Sequence, residues 1–287
     1  MDEQRVPNLE EMDEQEAHRF LTGLLSRLDP EEEYNARHQE DYVMEMPQSG
    51  ERFRGRDNLR AMQETYPTDP TAPPSIQVRR VLVREGLWVV EGVAAYGGEQ
   101  AFDVALIFEL RDGKMWRDRW YFAEPFEAPE WRAQWVERMS PGEPNTTPAP
   151  GGQIAESRNE TDEHEIERLI ERNWEKVRAG DFAGAHEWYA EDCVVEWPQS
   201  GERIGGKENL LALREAYPAG VEFEVRRVIS RPDLGVSEYV IRYDGRPVYV
   251  VAIVEFRDGE VVRETHYFAD PFPPPEWRAQ WVERMES

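Results

Sequence analysis

The sequence predicts an α+β fold built twice in tandem, and three observations carry that reading. Ten residues, Glu-Trp-Arg-Ala-Gln-Trp-Val-Glu-Arg-Met, occur at Glu130–Met139 and again at Glu276–Met285. Six residues, Pro-Gln-Ser-Gly-Glu-Arg, occur at Pro47–Arg52 and at Pro198–Arg203. The two offsets are nearly equal, so one whole module is duplicated, unlike the short period of a solenoid. The third observation is the order of hydrophobic periods: helix, helix, strand, helix and four strands in each copy. That is the pattern of one curved sheet wrapped over helices.

Copy one opens with a helical stripe, Phe20, Leu21, Leu24, Leu25 and Leu28, and Pro30 starts a second helix. Copy two repeats this with Ile166, Leu169, Ile170, Asn173, Trp174 and Val177, closed by Gly180-Asp181 and followed by a shorter helix over 182–190. Alternating strands follow at Tyr42–Met46 and Cys193–Trp197, each stopped by a proline, Pro47 or Pro198. A short helix comes next in each copy, at 57–65 and 208–216. Four β segments complete the module; in copy two they are about 221–230, 236–243, 247–257 and 261–268. Turn signals sit at Gly97-Gly98, Asp112-Gly113, Asp244-Gly245 and Asp258-Gly259. The runs Pro125–Pro129 and Pro271–Pro275 end each sheet. In the repeated decapeptide, Trp131 and Trp135, or Trp277 and Trp281, stand at i and i+4, the spacing of one helical apolar stripe. Such a stripe serves core or interdomain packing, or caps a pocket mouth. Domains are expected at 12–140 and 160–286, joined by a Pro/Gly-rich linker at 141–159.

Length and composition exclude several classes of function. The 287 residues suffice for two domains with a hydrophobic core apiece. No apolar run approaches the roughly 18 residues of a membrane span, and the N-terminus, with Asp2, Glu3, Glu10 and Glu11, lacks a signal-peptide pattern, so cytoplasm is the expected compartment. A net charge of −25 argues against nucleic-acid partners and against anionic membranes. The single cysteine, Cys193, lies in an apolar strand and reads as a buried hydrophobe. There is no phosphate-binding glycine loop, no Gly-x-Ser-x-Gly elbow and no Cys/His metal cluster, so no cofactor and no metal are expected.

The element order, with Gly180-Asp181-Phe182, the run Tyr189–Pro198 and Gly206–Leu210, resembles the nuclear transport factor 2-like superfamily, in particular its SnoaL-like branch. The resemblance implies two cone-shaped, cystatin-like domains, each a curved, antiparallel-rich sheet wrapped around helices. It also implies that they pack as a covalent pseudo-dimer. By the same resemblance, the base and oxyanion groups of ketosteroid isomerases fall on Asn173, Trp197 and Ile253 in copy two, and on Thr22, Met46 and Ile107 in copy one. A tryptophan, methionine or isoleucine cannot take the proton, so that mechanism is not expected.

With Trp197 and Ile253 taken as inward, strand alternation adds Cys193, Val195, Val251 and Tyr249 to an apolar wall. The expected lining of the second cone is Trp197, Tyr239, Tyr249, Ile253, Glu264, His266 and Phe268. The first cone has Met46, Asp118, Trp120 and Phe122, with Asp103 opposite. Glu264 and His266 form the candidate acid/base pair, because a carboxylate beside an imidazole in an apolar cone shifts both groups; the same pair equally fits a hydrogen-bonded filling of the cone. Glu45 and Glu196 alternate to the other face, which assigns them a structural role. An epoxide-hydrolase-like Arg/Asp set from Asp103, Arg117, Asp118 and Arg119 ranks low, since both arginines alternate away from Asp118. The expected partner is a small, mostly apolar molecule, bound in one or both cones; the alternative is an isomerase, cyclase or hydratase-type reaction in the second.

Overall fold

The computed structural model describes residues 8–25, 30–67, 74–97, 101–139, 163–217 and 221–285. The expected linker, Leu28 and Gly98 lie outside these residues. The chain divides into two compact units: Met1–Glu124 with Pro271–Ser287, and Pro125–Asp270. The segment after each copy therefore belongs to the unit built on the other copy. Boundaries at 12–140 and 160–286 would keep each decapeptide with its own copy.

Unit 1 contains α1 (Glu14–Leu24), α2 (Glu31–Arg37), β1 (His38–Met46), β2 (Glu51–Arg54), α3 (Arg56–Glu64), β3 (Ser75–Arg84), β4 (Leu87–Ala95), β5 (Ala101–Arg111) and β6 (Lys114–Ala123). Unit 2 begins with β7 (Glu137–Arg138) and continues with α4 (Glu163–Arg178), α5 (Phe182–Ala185), β8 (Tyr189–Trp197), β9 (Glu202–Gly205), α6 (Lys207–Glu215), β10 (Val221–Arg231), β11 (Leu234–Tyr243), β12 (Arg246–Arg257) and β13 (Glu260–Ala269). The last strand, β14 (Glu283–Arg284), returns to unit 1. The sheet orders are β14-β2-β1-β6-β5-β4-β3 and β10-β11-β12-β13-β8-β9-β7. Neither sheet closes into a barrel.

Local sequence explains these elements. Helix α1 starts at a capping box: Asp13 accepts from the Glu16 amide (2.8 Å) and Glu16 accepts from the Asp13 amide (3.1 Å). Its Ala17 and Leu21, one turn apart, are buried. In unit 2, Ile166 and Ile170 do the same for α4, and Gly235 lets α4 approach β11, because a Cβ there would stand 2.5 Å from Ile170 Cδ1. The hairpins β5–β6, β11–β12 and β12–β13 turn on Asp112-Gly113, Asp244-Gly245 and Asp258-Gly259, every one at positive φ, as a two-residue hairpin turn requires.

One irregularity decides which residues face the helices. In the β12–β13 hairpin, Phe256 pairs Val261 but Glu255 pairs Arg263, so Val262 is an extra residue. In β5–β6, Leu110 pairs Met115 but Glu109 pairs Arg117, so Trp116 is the extra one. Without the bulge, Ile253 would oppose Glu264. With it, Val254 opposes Glu264, Ala252 opposes His266 and Val250 opposes Phe268. The expected inward placement of Tyr249, Val251 and Ile253 is thus corrected: they share a face with Thr265 and Tyr267. Asp103 is corrected for the same reason, since it pairs Ala123 and lies on the face away from Asp118.

The tryptophan segments also differ from expectation. They form short 3-10 turns, Glu130–Arg132 and Glu276–Trp281, rather than α-helices, because each chain must straighten within a few residues to pair β7 with β9 or β14 with β2.

Candidate functional site

The two repeated motifs dock on each other within each unit. In unit 1 the Gln48 side chain clamps the main chain of Phe122 (2.7 and 2.9 Å), and Glu51 takes Arg278 of the second decapeptide (3.1 and 2.5 Å). In unit 2, Gln199 clamps Phe268 (2.6 and 2.8 Å), and Glu202 takes Arg132 of the first decapeptide (3.1 and 3.2 Å). Arg132 also stands 4.3 Å from the Trp197 ring. This latch fixes the end of each last strand, on which the candidate polar pairs sit.

In unit 1, β6 carries Asp118 and Trp120 on the face toward the helices. The Trp120 indole N–H donates to Asp118 Oδ2 (2.7 Å), while Asp118 Oδ1 is buried with no hydrogen-bond partner. Asp118 is 2% exposed. Burial pushes its carboxyl up to about 7, against the Tyr42 and Trp120 donors and with the help of the Glu45 charge. Behind it His38 is sandwiched between Tyr34 (ring centroids 4.1 Å) and Tyr42 (4.7 Å), and its Nδ1 donates to the Tyr34 carbonyl (2.9 Å). Burial lowers His38 to about 4, so it is neutral near pH 7. The Tyr34 hydroxyl is also buried without a partner. Rings continue outward from Trp120 through Phe122 to Tyr96, each step 6.1 Å.

In unit 2, Glu264 occupies the place of Asp118 and His266 that of Trp120. Here the carboxylate is saturated. His266 Nε2 lies 3.3 Å from Oε1, the Tyr189 hydroxyl donates to Oε2, and Arg214 reaches both that hydroxyl (2.9 Å) and Oε2 (3.4 Å). Arg214 is steadied by His186 Nε2 at 3.5 Å, whose Nδ1 donates to the Phe182 carbonyl (2.6 Å). Burial would raise the Glu264 carboxyl, but His266, Arg214 and Tyr189 together outweigh it and hold the group at about 2. His266 Nδ1 is buried and has no partner. Phe268 stacks on His266 at 5.9 Å.

The remaining predicted residues sort cleanly. Trp197, Met46, Tyr239 and Phe268 belong to the packed interiors that hold the two pairs. Ile253 and half-buried Tyr249 do not, and Asp103 pairs with Arg79 (2.7 Å). Glu45 and Glu196 lie on the opposite face as expected, but fully buried: Glu45 binds Arg52 and Arg119 (2.6 Å each), and Glu196 binds Arg203 (2.8 Å) and Arg263 (2.6 Å). Sequence reasoning missed Tyr42, Tyr34, Tyr189, His186 and Arg214. Two of these had a signal: Tyr42 alternates with Met44 and Met46, and Arg214 lies one helical turn beyond Leu210. Among the described residues no group of three His, Cys, Asp or Glu is placed to hold a metal, and no helix is long and apolar enough to cross a membrane.

A profile of the SnoaL-like domain matches residues 17–118 and again 167–264. Among solved structures, an NTF-2 like protein of unknown function from Burkholderia xenovorans LB400 is 47% identical, over 43% of this chain and 98% of its own, with a TM-score of 0.42. A putative ketosteroid isomerase from Kribbella flavida DSM 17836 is 24% identical over 44% and 94%, with a TM-score of 0.41. An LEH-like epoxide hydrolase from M. tuberculosis is 22% identical over 37% and 83%, with a TM-score of 0.32. No protein of curated function matches the chain.

Proposed function

We propose that this chain, which belongs to the SnoaL-like domain family in both of its copies, binds small, largely apolar molecules between the sheet and helices of each unit. The observation that supports this reading is that both last-strand pairs keep a buried polar atom without a partner, Asp118 Oδ1 and His266 Nδ1. Such an atom costs about 1–3 kcal/mol when left unsatisfied, so its place inside an otherwise apolar interior fits a ligand with a matching polar group. Native mass spectrometry of the gently purified full chain, together with titration by neutral alkylbenzenes bearing one oxygen, tests the reading. A co-purifying molecule, or saturable binding that weakens in both Asp118→Ala and His266→Ala, is expected. Absence of binding to every such probe at millimolar concentration would overturn it.

A second reading, proton transfer, is favoured by Asp118. Its carboxyl at about 7 is poised to give or take a proton at neutral pH, whereas Glu264 at about 2 is a poor base. In this reading Asp118 of unit 1 is the acid/base group and Glu264 orients His266.

A further inference from the structure

We propose that unit 2 selects ligands that carry a hydroxyl donor of the phenol or enol class, received by His266 Nδ1, with Glu264 as the residue that positions the ring. The inference rests on the ligand-binding reading above and adds the chemistry of the second site. Three observations carry it.

The first is the tautomer. A carboxylate only accepts, so the contact between His266 Nε2 and Glu264 Oε1 (3.3 Å) commits the Nε2 proton, and Nδ1 is the ring nitrogen left to accept from a ligand. That nitrogen is unpartnered on a side chain that is 8% exposed. Glu264 cannot turn away to serve a ligand itself, because its other oxygen is held by the Tyr189 hydroxyl and Arg214.

The second is room. Across the hairpin from His266 stands Ala252, whereas the matching pair in unit 1 is Trp120 opposite Leu106. Two large side chains are replaced by two smaller ones at the same place in the fold, on the face that carries the free nitrogen. The third is a route. Phe126 is exposed, lies 6.5 Å from Phe268, and Phe268 stacks on His266, so ring contacts run from an exposed side chain to the His266 ring. A ring-bearing ligand is held by these faces while its hydroxyl donates inward.

The probes are 4-propylphenol and 4-propylanisole, which differ only in whether the oxygen carries a proton. On the full chain at pH 8 the phenol is expected to bind about tenfold more tightly in unit 2, the worth of one hydrogen bond at roughly 1.4 kcal/mol. In a sample with 15N-labelled histidine, the His266 Nδ1 resonance should shift with the phenol and stay in place with the anisole. His266→Phe should abolish the preference, and Ala252→Leu, which installs the residue unit 1 already tolerates, should block both probes in unit 2 without unfolding the chain. If both probes bind equally, or the preference survives His266→Phe, or the Nδ1 resonance ignores the phenol, the inference falls while ligand binding stands. If neither probe binds, the inference falls, and the ligand-binding reading is decided by native mass spectrometry and the wider alkylbenzene series.

Discussion

Replacing Arg278 by alanine withdraws a guanidinium that is 6% exposed from a carboxylate, Glu51, that is fully buried. Two contacts, at 3.1 and 2.5 Å, are lost, and the Ser49 hydroxyl at 2.5 Å remains as the donor to Glu51. Truncating one partner of a buried ion pair costs about 3–5 kcal/mol, since the other charge stays in a low-dielectric site uncompensated. The guanidinium also lies 5.9 Å from the buried Phe53 ring, a cation–π contact that adds to the loss. Arg278→Ala should therefore destabilise unit 1 by about 3–5 kcal/mol, a large share of a domain's stability. Urea unfolding of the full chain, followed by circular dichroism, is the assay, with Arg132→Ala as the mirror change in unit 2. Two units can unfold in two steps, so the Arg278 variant should move one step and the Arg132 variant the other. Adding Glu51→Gln to Arg278→Ala should restore part of the loss, because a neutral amide is cheaper to bury than a bare carboxylate. A loss below about 1 kcal/mol, or a double variant no more stable than Arg278→Ala, would show that the latch is not an energetic element.

Asp118 has a folded-state carboxyl at about 7, above its ordinary 3.8, so its contribution is present below about pH 4 and is lost as pH rises through 7; Asp118→Asn should flatten that decline in a pH series of unfolding curves. Glu264 has the opposite sign: held at about 2 against an ordinary 4.5, it stabilises above pH 4.5 and loses this as pH falls toward 2, a dependence that Glu264→Gln should remove. A chain ending at Asp270 lacks β14 and Arg278, so hydrogen exchange should quicken in β2 and α3 while β9 and α6 stay protected; equal exchange in both sets would contradict the unit assignment. The protein should not isomerise a 3-oxo-Δ5-steroid, since Trp197 and Met46 cannot serve as the base; turnover abolished by Trp197→Ala would refute this.

How much of this was legible in the sequence depended on whether a feature is local. Asp-Gly turns and some helices were, because their signals act within a few residues: α6 spans Lys207–Glu215, one position from the expected 208–216, whereas the helix expected over 182–190 ends at Ala185. The duplication was legible from exact identity. Strand faces were not, because a single extra residue, Val262 or Trp116, inverts the alternation of the neighbouring strand and leaves no mark in composition. These two bulges, one in each unit, put Tyr249 and Ile253, and Asp103, on the face opposite to the expected one, while Glu264, His266, Asp118 and Trp120 lie beyond them on the bulged strands. Arg214 and Tyr189 reach Glu264 from a helix and from the start of β8, and such long-range convergence has no sequence period to announce it.

The identity between the copies is concentrated in the latch, and the difference between them in the groups it holds. Gln48 and Gln199, Glu51 and Glu202, and Arg278 and Arg132 perform the same contacts with the same atoms. Two strands from Glu51 and Glu202, the paired polar residues diverge from Asp118–Trp120 to Glu264–His266, and their surroundings diverge with them. Among the described residues of unit 1 the side-chain donors to Asp118 are the neutral Tyr42 and Trp120, and burial then drives its carboxyl toward the protonated form. Unit 2 supplies the Arg214 guanidinium together with the Tyr189 and His266 donors, and the same position becomes a fixed anion. A neutral carboxyl donates a proton to a ligand's acceptor; a fixed anion hands that role to the imidazole it orients, which accepts instead. Under the ligand-binding proposal, the two units therefore differ in hydrogen-bonding sense, and ligands that suit one should be discriminated by the other.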